Sequence, residues 1–261
     1  PLRIAINRYI HRTGRVLIKG SRGSSGSSLV IVEDNPESIE KSLNALARRV
    51  ETRIYLVEVM LDVAVSPNVL IYIDPINGRL SCVCVTDQRL SEHLAHEGNI
   101  FPPSASTVEH MINSAMKISA WLRTQGCSGL AGFDFGEYLN PETGACEYFL
   151  ADINARTNGA AYPKFLMEHL NRRQRQKDGP CIKAFLSDKA VPTKARFFAE
   201  LDEWCGHLFF TPATGKGVVP YNTGCLEIGM CSLAVFGKSG NEVTEIYEEF
   251  KAASHGIGTL A

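Results

Sequence analysis

Two short stretches decide the reading: Gly132-Phe133-Asp134-Phe135 and, after a turn marked by Asn140, Pro141 and Gly144, Asp152-Ile153-Asn154-Ala155-Arg156-Thr157-Asn158-Gly159. Residues 130–135 and 146–153 are apolar runs on either side of that turn and read as paired strands. Alternate residues of a strand share a face, so Asp152, Asn154 and Arg156 project together, two oxygen donors followed by a cation. Asp134, on the paired strand, adds another carboxylate. Hard oxygen donors in small number suit Mg2+ held jointly with phosphates. An arginine beside them suits a phosphoryl group in transfer. The plain alternative is a solvated strand face with a local ion pair, against which stand the apolar flanks of a partly buried strand.

Working toward the N-terminus, Lys19 ends the apolar run Val16-Leu17-Ile18 and is followed by a Gly/Ser loop over residues 20–28. Gly20, Ser21, Gly23, Ser24, Ser25 and Gly26 leave the backbone free to approach a ligand, and such loops present N–H groups to phosphate oxygens. Lys19 supplies a point charge beside them. The order is not that of a P-loop, because no Gly-Lys-Ser/Thr follows four variable residues. It is not a dinucleotide turn either, because the next run, Leu29 to Val32, reads as a strand. A mobile linker is the bland alternative. Glu58 stands in the apolar segment Tyr55-Leu56-Val57-Glu58-Val59-Met60-Leu61, where a carboxylate is costly unless paired. A hinge touching an adenine base and a strand end facing water both account for it.

The remaining pattern is α+β. A short helix over 3–12, strands around the loop, and a helix opened by Asn35-Pro36 with Ile39, Leu43, Leu46 and Val50 on one face come first. Strands follow at 53–61, 69–73 and 79–86, the last two joined by a turn at Asp74–Gly78. Ser106 and Glu109 have capping-box spacing before a helix with Met111, Ala115, Ile118 and Leu122 inward. A helix is expected at 163–172 and an exposed basic loop at 172–180. Strands are expected at 207–211, 217–221 and 231–236, then a last helix presenting Val243, Ile246, Tyr247 and Phe250. His93 and His96 read as a solvated helix face rather than metal ligands.

Composition bounds the partners. With 261 residues, 44% hydrophobic, and a net charge of -1, the chain lacks the positive excess of a nucleic-acid surface. No apolar run has the length a bilayer needs, so no membrane association is expected. Eight cysteines without a Cys-x-x-Cys pair read as reduced thiols, several of them buried, in a cytoplasmic protein.

The order Lys19, glycine-rich hairpin loop, strand with Glu58, GFDF, then DINARTNG resembles the ATP-grasp superfamily over roughly residues 15–165. Residues 152–163, DINARTNGAAYP, look like the peptide-ligase branch related to the pheganomycin ligase. The resemblance implies an ATP-grasp fold in which two α+β lobes clamp ATP between antiparallel sheets. It implies a small N-lobe over residues 1–62 and a C-lobe with a C-terminal extension over 63–261. ATP would be bound by Lys19, Gly20, Ser21, Gly23, Ser24, Ser25, Gly26, Glu58 and Leu61, with Asp62 as the ribose acid. Mg2+, or Mn2+ in its place, would be held by Asp134, Asp152 and Asn154, with Arg156 and Lys19 catalytic. Glutamate is frequent in the family where Asp152 stands, which shortens the reach but keeps the chemistry. The activity implied is joining a small carboxylic acid to an amine, an amino acid or peptide, through an acyl phosphate. A small-molecule kinase and a non-catalytic ATP-binding module are the alternatives. Only eighteen residues precede Lys19, so a further N-terminal domain or a partner chain is expected to complete the acid site, and homo-oligomerisation is the other expectation.

Overall fold

The computed structural model describes residues 1–21, 29–48, 54–176 and 179–256, which fall into two compact units. The first comprises Pro1–Val63 with Leu90–His96, and the second Ala64–Arg89 with Glu97–Ala261.

In the first unit, α1 (Leu2–Ile10) precedes the hairpin of β1 (Arg15–Gly20) and β2 (Leu29–Glu33). Helix α2 (Pro36–Ala47) and strand β3 (Tyr55–Val59) follow. Strand order is β2-β1-β3, both pairings antiparallel. Alternation puts Val16, Ile18 and Val32 on one face, where they pack with Ile6 and Ile10 of α1 and Leu46 of α2. Asn35 starts α2 as expected of Asn-Pro: its side chain accepts from Ser38 N at 2.8 Å, and Pro36 has no N–H to satisfy. Val50, expected on the same helix face, lies outside the described residues.

The second unit is built on a large, mostly antiparallel sheet. Its strands are β4 (Val63–Val65), β5 (Pro67–Ile73), β6 (Leu80–Leu90), β7 (His96–Phe101), β8 (Gly129–Leu139), β9 (Cys146–Asn154), β10 (Ala184–Pro192), β11 (Gly217–Tyr221) and β12 (Met230–Gly237). The order is β11-β12-β10-β7-β6-β5-β8-β4, with β9 also paired to β8. Helix α3 (Val108–Thr124) covers one face: Met111, Ala115 and Leu122 pack on Val69, Ile71, Ala131, Phe133 and Phe135. Helix α6 (Gly240–Ala253) buries Val243, Tyr247 and Phe250 together with Leu186, Leu233 and Val235, and α5 (Phe198–Cys205) adds Leu201 to that cluster. Helix α4 (Ala161–Arg175) lies on the opposite face, with Ala161 against Leu70 and Cys84, and Met167 against Phe185 and Phe236. Burying each of these large apolar side chains stabilises by about 1.5–3 kcal/mol.

Several expectations are corrected. The start of α3 is not closed by a Ser106/Glu109 box: its N-cap is Thr107, without a side-chain cap. Glu137 of β8 takes that role, accepting from Ser106 N at 2.9 Å, Thr107 N at 2.7 Å and Thr107 Oγ1 at 2.6 Å. A full carboxylate at the positive end of a helix satisfies more orphan donors than a neutral cap. Arg172, Arg173 and Arg175 form the last turn of α4 rather than a loop, where cations favour the negative end of the helix. His93 lies in a turn and His96 opens β7, because positive φ at Leu94 folds the chain back instead of starting a helix. Residues 206–208 form a 3-10 turn, and 209–211 make only isolated bridges to Val218 and Lys216, not a strand. Strand β10 and helix α5 were not anticipated.

The cysteines are free, and burial pushes the thiols of Cys84 up to about 12 and of Cys205 and Cys231 up to about 11. Among the described residues no helix is long and apolar enough to cross a membrane.

Candidate functional site

Each unit contributes one charged constellation. In the first, Lys19 pairs across the sheet with Leu56, so Glu58 is its diagonal neighbour on the same face. Lys19 Nζ and Glu58 Oε2 are 2.6 Å apart, and both side chains stay partly exposed, at 21% and 36%. Leu17 pairs with Glu58 and shares this face, and Leu56 is 56% exposed on it. The buried face belongs to α1 and α2, so the face with Lys19, Glu58 and Leu56 combines charge with open apolar surface. Gly20 ends β1, and the Ser21 N–H donates to Ile54 O at 2.9 Å, extending the sheet. That N–H is thus engaged by the backbone rather than presented to a ligand. Leu61 is half-buried, whereas Asp62 is exposed and ion-paired with Arg15. Gly23, Ser24, Ser25 and Gly26 lie outside the described residues.

In the second unit, the antiparallel β8–β9 pair places Asp134 directly opposite Asp152. Asp134 also opposes Asn68 of β5. These residues lie on the sheet face that α4 partly covers, as do Gly132 and Leu70, while Phe133 and Phe135 point to α3. Asp134 Oδ1 accepts from Asn68 Nδ2 at 2.5 Å and from Gln88 Nε2 at 2.6 Å. Its Oδ2 accepts from Asn154 Nδ2 at 2.8 Å. The oxygen of Asn154 is held by Arg156 Nη2 at 2.9 Å, and Arg156 Nη1 donates to Thr157 O at 3.2 Å. Asp152 and Arg156 are exposed, and Asn154 is half-buried. Burial pushes the Asp134 carboxyl above its ordinary range; the Asn68 hydrogen bond opposes this, and the negative charge of Asp152 adds to it.

The structure therefore brings Asp134, Asp152 and Asn154 together on paired strands, and Lys19 with Glu58 on another sheet. Arg156, expected on the same strand face, instead lies in a bend two residues past the end of β9 and reaches back to Asn154. Among the described residues no three His, Cys, Asp or Glu side chains gather into a metal-holding group. The hard oxygen donors present are the two carboxylates, while the surrounding amides turn their NH2 groups to Asp134 and the Asn154 oxygen accepts from Arg156. That chemistry fits Mg2+ or Mn2+, which take one or two carboxylates and complete their shell from phosphates and water. A cation would also relieve the repulsion between Asp134 and Asp152.

Sequence reasoning missed Asn68, Gln88 and Asn158. Asn158 belongs to the decisive stretch but had no role there, and it donates to Asn68 Oδ1 at 3.0 Å. The available signal for Asn68 was a polar amide opening the buried run Pro67–Ile73, where such a group needs partners. Gln88 gave no local signal, because its partner is 46 residues away.

No known family model matches the sequence, and no curated protein matches it. Solved structures do. The N5-carboxyaminoimidazole ribonucleotide synthetase of Thermus thermophilus superposes with a TM-score of 0.63 at 11% identity, covering 98% of this chain and 66% of that one. The carboxyaminoimidazole ribonucleotide synthase of Aspergillus clavatus, solved with ATP, gives 0.62 at 12% identity, covering 97% and 65%. Biotin carboxylase of Campylobacter jejuni, solved with a β,γ-ATP ligand, gives 0.63 at 13% identity, covering 95% and 62%. The chain spans less than two thirds of the length of these proteins. At such identities the likeness establishes the fold, and the chain has the ATP-grasp fold.

Proposed function

We propose that this chain binds Mg-ATP and activates a carboxylic acid for amide formation, as an ATP-dependent carboxylate–amine ligase. The observation that carries the reading is Asp134 facing Asp152 across a strand pair, with Arg156 fixed two residues beyond Asn154. The neighbours are named as carboxyaminoimidazole ribonucleotide synthetases and a biotin carboxylase, two of them solved with ATP or a β,γ-ATP ligand, which supports this reaction class.

In this reading Asp134 and Asp152 hold Mg2+, and Asn154 joins them when its amide turns its oxygen outward. The ion neutralises phosphate charge while bound. The Lys19 ammonium, kept extended by Glu58, binds phosphate, and the open apolar surface at Leu56 receives the base. Residues 20–26 cover the phosphates, with Leu61 and Asp62 contacting the nucleoside. The γ-phosphoryl group passes to a carboxylate oxygen, giving ADP and an acyl phosphate; the amine then attacks the carbonyl and phosphate leaves. Arg156, a planar fork, stabilises charge on the transferring group and on the tetrahedral species. Such transfer needs positioning and neutralisation rather than a side-chain nucleophile. The finer reading is an amino acid or peptide as acid and as amine, with a peptide bond as product.

Hydroxylamine trapping tests the proposal. With Mg-ATP and a pool of carboxylic and amino acids, a hydroxamate should form in step with ADP. Phosphate appearing instead on an alcohol, without hydroxamate, would make the chain a kinase.

A further inference from the structure

The amides around Asp134 are ordered in a way the ligand assignment alone does not require. An amide can present either its oxygen or its NH2, and here each orientation is imposed by the next group along. Asn158 Nδ2 donates to Asn68 Oδ1, 3.0 Å away, which turns the NH2 of Asn68 toward Asp134 Oδ1 at 2.5 Å. Gln88 brings a second NH2 to the same oxygen at 2.6 Å. Asn68 is 1% exposed, so it has no water to exchange with. Asn158 is oriented in turn by the Ala160 N–H, which donates to its Oδ1 at 3.2 Å, and Gly132 leaves the space its amide occupies, since a Cβ there would lie 2.0 Å from its Nδ2. The other oxygen of Asp134 accepts from Asn154, whose amide is oriented by Arg156.

We propose that Asn68, Gln88 and Asn158 are positioning residues of the metal site. They engage Asp134 Oδ1 with two amides and fix the carboxylate, so that Oδ2 is the oxygen that exchanges Asn154 for a divalent cation. This rests on Asp134 being a metal ligand. Groups that orient a ligand from behind change metal affinity by about 10–100-fold when removed.

The test is Mn2+ binding followed by electron paramagnetic resonance on the full chain with saturating ADP, in wild type, Asn158→Ala, Gln88→Met and Asp134→Ala. Metal-free ADP affinity and thermal melting are measured in parallel. Asn158→Ala removes the group that orients Asn68 from a half-buried loop, and Gln88→Met keeps length while deleting the donor. Both should bind Mn2+ about tenfold more weakly, with altered line shape and unchanged metal-free ADP affinity. If Gln88→Met fails to fold, Asn158→Ala decides. Wild-type Mn2+ affinity in the folded variants, with Asp134→Ala unable to bind the ion, overturns the positioning role and leaves the ligand assignment standing. Wild-type Mn2+ affinity in Asp134→Ala overturns both.

Discussion

Strand β8 carries two inward carboxylates, Asp134 and Glu137, and their environments drive them in opposite directions. Burial raises both. Around Glu137 the Thr107 hydroxyl and the backbone N–H groups of Ser106 and Thr107 outweigh it, and the carboxyl falls below its ordinary 4.5. Around Asp134 burial outweighs the amide donors, the like charge of Asp152 adds to it, and the carboxyl rises. Glu137 is satisfied by the start of α3 and works as a cap for the fold. Asp134 is held in place but left short of positive charge, as a cation ligand must be. Two acids on one strand can thus be assigned different tasks by what lies opposite each.

The comparison can be broken by exchanging losses. Asp134→Ala should lower metal-dependent turnover by about 10²–10³-fold, the usual loss when a fixed electrostatic contact to a transferring group is removed. Its melting temperature should no longer gain from Mg2+ added to saturating ADP; retention of that gain in a scanning-fluorimetry titration would disprove the ligand role. Glu137→Gln should do the reverse. It should destabilise by about 1–3 kcal/mol at neutral pH, the range for a charged hydrogen-bonded group, while folded enzyme keeps its turnover. Because the folded-state value is depressed, the stabilisation is complete above 4.5 and disappears as pH falls through the lower folded value. Chemical denaturation of the two proteins should therefore converge in strong acid, and a constant gap down the pH series would refute the cap.

Smaller effects sharpen the picture. Lys19→Met should raise the KM for ATP about tenfold, the equivalent of one charge-assisted contact, because its ion pair with Glu58 is half-exposed and contributes little to stability itself. Steady-state kinetics with an unchanged KM would remove Lys19 from the nucleotide site. Asn35→Ala should cost about 1 kcal/mol in denaturant unfolding and nothing in turnover, since the cap on α2 serves only the fold. A loss of turnover there would mean that the first unit is coupled to chemistry through its helix.

What was legible in the sequence followed period and punctuation. The alternation of Asp152 and Asn154 identified one strand face, and Asn35-Pro36 identified a helix start, because both signals are local; Arg156 fell outside the strand, which ends at Asn154. The start of α3 was misread because its real partner, Glu137, is about 30 residues downstream, and a local pattern at Ser106 and Glu109 stood in for it. Strand β10 escaped notice because Asp188 and Lys189 interrupt its apolar run. Asp188 is nevertheless buried there, balanced by Arg89 at 2.8 Å and by the Tyr247 hydroxyl at 2.5 Å. Gln88 was invisible for the same reason as Glu137, and the amide of Asn68 in a buried run signalled a need for partners without naming them: a buried amide declares its purpose only through partners supplied by other strands.

The central claim is that the acid is activated as an acyl phosphate, so that the phosphate expelled by the amine carries one carboxylate oxygen. An acid that yields hydroxamate, labelled with 18O in both carboxylate oxygens, can be converted to amide with Mg-ATP and its amine, and the released phosphate analysed by mass spectrometry. Phosphate carrying one 18O for each amide formed is the predicted result. Unlabelled phosphate, or label found in AMP, would contradict the account.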